Sequence, residues 1–108
     1  MFRIFDLAMF EEDINQLLND PKLRLLQMNV ACSEETAYTP VTLRFKQCEE
    51  DQERKYNRYL NRFFASSDAY EVIDDLLADK KNRLIKMDTF PTKEGTVIVL
   101  DYQVKRER

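Results

Sequence analysis

The sequence predicts an α+β fold of two tandem, pseudo-symmetric βαββ repeats, whose strands form a largely antiparallel six-stranded sheet packed on two helices. Three observations lead there: a duplicated segment, a helical apolar period within each copy, and a change to period two after it. Residues 14–28 laid over 73–87 at an offset of 59 give eight identities in fifteen pairs, namely Ile14/Ile73, Leu17/Leu76, Leu18/Leu77, Asp20/Asp79, Lys22/Lys81, Arg24/Arg83, Leu25/Leu84 and Met28/Met87. Unrelated segments of ordinary composition share roughly one.

Each copy begins with a short apolar run, Phe2-Arg3-Ile4-Phe5 or Asn61-Arg62-Phe63-Phe64 at the same offset, read as a strand. Phe10, Ile14, Leu17 and Leu18, matched by Ala69, Ile73, Leu76 and Leu77, then lie on one face of a helix. Glu11, Glu12 and Asp13 are expected near the positive end of the first helix, and Asp68 with Glu71 forms a capping-box pattern with Ser67 as an alternative cap. Both helices should stop near Asp20 and Asp79, the first aided by Pro21. Alternation follows: Leu26, Met28 and Val30 against Gln27, Asn29 and Ala31, and Ile85 and Met87 against Lys86 and Asp88. After a polar turn, Val41, Leu43 and Phe45 correspond to Ile98, Leu100 and Tyr102, and Gly95, the sole glycine, falls where a hairpin needs positive φ.

The repeats span about 1–46 and 61–105 of a single domain, with 47–60 as linker. Acids precede bases in Glu49-Glu50-Asp51-Gln52-Glu53-Arg54-Lys55, the order a helix dipole favours, and Tyr56, Tyr59, Leu60 and Phe63 fit a helical stripe. The linker thus reads as a third helix or as an arm running into the fourth strand.

Composition excludes several function classes. Among 108 residues there is no histidine, which removes Ser-His-Asp and Cys-His catalysis, and one glycine cannot make a P-loop or a GxGxxG turn. Seventeen basic against 20 acidic residues give a net charge of −3, which disfavours broad attraction to nucleic acid or anionic lipid. No run is long and apolar enough to span a bilayer, and the N-terminal residues lack a secretory pattern, so a cytoplasmic location without membrane contact is expected. Cys32 and Cys48 fall near opposite ends of the first hairpin, beyond disulfide reach, and are expected to be free thiols. Neither their spacing nor the adjacent acids make a metal site or a catalytic pair. No catalytic, cofactor-binding or metal-binding residue is predicted.

Two surfaces stand out. Residues 54–64 hold four cations, four aromatics and no acid, so Arg54, Lys55, Tyr56, Arg58, Tyr59 and Arg62 are the candidate interaction surface. Arginines neutralise phosphates while tyrosines stack on bases, which is the nucleic-acid reading; the same arginines at i, i+4 spacing also suit the wet face of a helix. In the last strand Val97 and Val99 alternate with Ile98, Leu100 and Tyr102, making both faces apolar. That strand is either central and covered or a self-association contact.

The order Phe2-Arg3-Ile4-Phe5, Ile14-Asn15-Gln16-Leu17-Leu18, Leu25-Leu26-Gln27-Met28 and Tyr38-Thr39-Pro40-Val41 resembles a family of very short sporulation-associated proteins of Gram-positive bacteria, and Arg83-Leu84-Ile85-Lys86-Met87 is similar. The resemblance implies a fused pair of such proteins and, as that family has no settled activity, no catalytic residue; it leaves 46–60 without a counterpart. The βαββ topology also resembles dodecins, but the tryptophan that stacks on flavin there is missing here, so only architecture is implied. The resulting expectation is a small non-enzymatic protein-interaction or regulatory protein of bacterial or mobile-element origin, partnering protein and taking no cofactor. Nucleic-acid binding through 54–64 is the alternative.

Overall fold

The computed structural model describes residues 1–50 and 54–106. Its order is β1 (Phe2–Asp6), α1 (Leu7–Leu18), β2 (Leu23–Val30), β3 (Pro40–Gln47), β4 (Tyr56–Phe64), α2 (Ser67–Ala78), β5 (Asn82–Thr92) and β6 (Gly95–Lys105). Each repeat is βαββ, as the period changes require. The six strands form two three-stranded antiparallel sheets, β1-β3-β2 and β4-β6-β5, in place of the single sheet expected from sequence. Among the described residues the linker carries no third helix, since 54–55 is irregular and 56–64 is strand; residues 51–53 of the expected helix lie outside the described residues.

The duplication extends to an irregularity. Register shifts between Leu25 and Gln27 in β2 and between Leu84 and Lys86 in β5, equivalent places at the same offset. This bulge turns Leu26 and Ile85 out to solvent and leaves Leu25 and Leu84 on the faces of Met28 and Met87, correcting the simple alternation. The edge strands differ as well: Arg3 faces Leu43 while Asn61 faces Leu100, so β4 matches β1 at an offset of 58, one residue from the sequence alignment. Leu60 therefore occupies the place of Phe2, and Arg62 that of Ile4.

Helix ends follow local chemistry. Asp6 caps α1 by accepting from the Ala8 N–H, so the helix starts earlier than its apolar period suggested. It is kinked at Phe10, whose backbone is non-helical (φ −120°, ψ 28°), so exposed Phe10 does not share the helical face of Ile14 and Leu18, and Glu11, Glu12 and Asp13 open the turn that follows the kink. Ser66, not Ser67 or Asp68, caps α2, its Oγ accepting from the Ala69 N–H. The helices stop at Leu18 and Ala78 as expected. Gly95 adopts φ +129° in the β5–β6 turn; the longer loop of the first repeat takes its positive φ at Ala37 instead. Both cysteines are free, Cys32 half-buried and Cys48 exposed.

The larger core cluster joins the repeats. Leu7, Ile14 and Leu18 of the first helix region and Val41, Leu43 and Phe45 of β3 pack with Leu60, Val97 and Val99 from the second sheet. A smaller cluster of Ile73, Ile98, Leu100 and Tyr102, with Tyr59, Phe63 and Leu76 beside it, lies between α2 and the opposite face of that sheet. The strand β6 is thus central and covered on both faces. Val97 and Val99 are 0% and 2% exposed, which leaves no free face there for self-association.

Candidate interaction surfaces

The joint between the repeats is built by α1 lying along the free edge of β4. Asn15 accepts from the Leu60 N–H (2.7 Å) and donates to the Leu60 carbonyl (3.1 Å), and Asn19 does the same with Arg58 (2.7 and 2.9 Å). Glu11 accepts from the Arg62 N–H at 3.3 Å and from Asn61 Nδ2 at 2.6 Å. A carboxamide offers one donor edge and one acceptor, as a peptide group does. Four helical residues advance about 6 Å and two strand residues about 6.7 Å, so side chains at i, i+4 and i+8 keep step with alternate residues of the strand. The stripe acts as a fourth strand for the second sheet, and covers an edge that would otherwise template further pairing. It also occupies the edge through which the two sheets could have merged.

Two arginines of the basic segment, Arg54 and Arg62, cross the same joint, while Arg58 pairs within the second sheet. Arg54 donates to the carbonyls of Leu18 and Leu23 at 3.3 and 3.2 Å. Arg62 donates to Thr39 Oγ1 (3.1 Å) and the Ala37 carbonyl (2.9 Å), and stacks 4.6 Å from the Phe64 ring centre. Arg58 makes a two-pronged ion pair with Asp101, Nε to Oδ1 at 2.9 Å and Nη2 to Oδ2 at 2.7 Å. The hydrogen bond to that carboxylate raises the guanidinium pKa further above its usual value, against the opposing effect of burial. Tyr59 stacks on Tyr102 at 5.7 Å under α2, and burial, followed by Tyr59 and Glu11, pushes the Tyr102 phenol up. The six predicted residues therefore do not share one surface: Arg54, Arg58 and Arg62 fasten, Tyr59 packs, and only Lys55 and Tyr56 are exposed.

Three outward features remain. A cleft of about 480 Å³ separates β2 from the outer face of the second sheet, lined by Met28, Val30, Leu60 and Val99 with Arg58–Asp101 on its wall and Lys86 and Asp88 beside it. The second feature is the β5 half of the second sheet, which α2 leaves uncovered, with the exposed apolar residues of the helix: Leu84 is 40% and Met87 49% exposed on β5, and Leu77 38% and Tyr70 53% on α2. Third, the outer face of the first sheet shows Phe2 and Ile4, 61% and 59% exposed, together with Arg24, Arg44 and Lys46. Among the described residues no group of three His, Cys, Asp or Glu could hold a metal ion, and no helix is long and apolar enough to cross a membrane.

Sequence reasoning missed all three features. For the second of them the signal lay in the repeat itself: Glu11, Asn15 and Asn19 are replaced at the same offset by Tyr70, Asp74 and Ala78, so the second helix cannot grip a strand as the first does. Comparison of the chain with protein-family models, curated proteins and solved structures gave no match.

Proposed function

We propose that the chain is a small non-enzymatic protein-interaction module that recruits its partner through the open side of the second repeat. One observation carries this reading: Leu77, Leu84 and Met87 stand exposed where their identical equivalents are buried (Leu18) or half-buried (Leu25 and Met28) against the core shared with the second sheet, Leu25 and Met28 at the cleft that separates β2 from it. The site is thus of a kind that already takes a β-sheet face within this chain. Large apolar side chains left exposed on one unit suggest an interaction site. A bacterial protein of the sporulation-associated kind, formed by fusing two short chains, fits the same reading, because the fused halves would keep one of the faces that bound them together.

A photo-crosslinking residue at position 84, activated in cells, tests the proposal. The expected product is a protein adduct that is lost when Met87 is changed to Lys and is absent when the crosslinker stands at position 93 in the β5–β6 turn. Adducts with nucleic acid, or none with protein, would overturn it.

A further inference from the structure

We infer that the occupant of this open face is a second copy of the same chain, docked head to tail by the outer face of its first sheet. The inference rests on the interaction reading above and adds the partner's identity. Within one chain, the helix-side face of the first repeat receives the outer face of the sheet that follows it, through Leu60, Val97 and Val99. Among the described residues, one face of each kind is left uncovered. The helix-side face of the second repeat offers Leu77, Leu84 and Met87, and the outer face of the first sheet offers Phe2 and Ile4, which hold the places of Leu60 and Arg62 in the internal joint. Repeating the internal joint between molecules joins these two faces and no others.

Charge agrees with that pairing. The outer face of the first sheet carries Arg24, Arg44 and Lys46, whereas α2 carries Asp68, Glu71, Asp74 and Asp75 and no base. Opposite potentials favour this encounter and oppose a symmetric one, in which two acidic helices or two basic sheets would meet. The contact is weaker than the internal joint, because Asp74 stands in the place of Asn15. A carboxylate accepts from a strand N–H but cannot donate to its carbonyl, and Ala78 in the place of Asn19 does neither. The interface is heterologous, so it grows into a ring or an open array and not a closed symmetric pair.

Sedimentation of the full chain with two variants tests this. Met87→Lys disables the acidic face and Ile4→Glu the basic one; both sites are exposed, and circular dichroism confirms that each variant folds. The wild type is expected to exceed the mass of one copy as concentration rises, with affinity falling on the order of tenfold in high salt. Each variant alone should remain a monomer, while an equimolar mixture should form one-to-one pairs, because each supplies the face the other lacks. A wild type that stays monomeric at millimolar concentration overturns the second-copy inference. So does a mixture that stays monomeric while the wild type associates, the signature of a symmetric contact. If position 84 crosslinks to a different protein while the wild type is monomeric, the interaction reading stands and this inference falls; no protein adduct at all removes the interaction reading itself.

Discussion

The two repeats share their secondary structure, their bulge and most of their apolar positions, yet one is closed and the other open. Leu18 is 6% exposed and Leu77 38%, though both are leucines at the same place on equivalent helices. The difference lies outside the apolar pattern. The first helix carries a polar stripe that holds the edge of β4, and holding that edge lays the second sheet across the first repeat's apolar face. The second helix has lost the stripe and its face has no cover. A duplicated apolar pattern therefore fixes the fold of each unit, while a few polar residues decide which unit is covered.

Paired substitutions at equivalent positions break this comparison most sharply. Leu18→Ala should lower unfolding free energy by about 3 kcal/mol, in the range for a buried leucine, whereas Leu77→Ala should cost less than about 1 kcal/mol. Urea denaturation of both variants measures this, and equal losses would mean that the repeats are covered alike. Next in size is Arg58→Met, which leaves the buried Asp101 carboxylate without its partner. A cost of about 2–3 kcal/mol is expected, below that of a fully buried pair because Arg58 keeps about a third of its side-chain surface in water. Arg44, which stands in the place of Asp101 on the exposed face of the first sheet, should tolerate the same change within about 0.5 kcal/mol.

Much of this architecture is legible in the sequence. The offset of 59 reveals the βαββ units and where the helices stop, and the single glycine marks the positive φ at Gly95, because these depend on local spacing and on residues whose conformational limits are strict; the helix starts were misplaced by a few residues. The linker was harder to read. Residues 54, 58 and 62 differ by four, which places them on one side of a helix and equally on one face of a strand, and period alone does not separate the two. Pairing with β6 and the amides of α1 decide for strand. The bulges at Leu26 and Ile85 were hidden for a related reason, since inserting one residue exchanges which of two adjacent leucines or isoleucines points inward. Nor does an isolated leucine reveal whether a distant segment will cover it. The loss of Asn15 and Asn19 in the second copy was the available clue.

Smaller effects are expected at the polar residues of the joint. Asn15→Ala should cost about 1–2 kcal/mol and speed amide hydrogen exchange at Leu60, while Asp74→Ala should alter neither stability nor exchange at any β4 amide. Read by exchange mass spectrometry, protection of Leu60 that survives Asn15→Ala would contradict the edge-holding role. The smallest expected effect concerns pH. With its phenol pKa raised in the fold, Tyr102 gives a contribution that is complete below about 10, where both states hold the proton. Above that value the unfolded chain ionises first, so stability falls as pH rises toward the folded-state pKa. Tyr102→Phe should flatten that alkaline decline in thermal melts.

Hydroxyl-radical footprinting of the unmodified protein compares the coverage of the two repeats, because it reads Leu18 against Leu77 and Met28 against Met87 in one sample without any substitution. In dilute solution Leu77 and Met87 should be modified several-fold faster than their equivalents, and raising the concentration should protect them while Leu18 and Met28 stay slow throughout. Equal modification of each pair at low concentration would contradict the account, since the two repeats would then be covered alike.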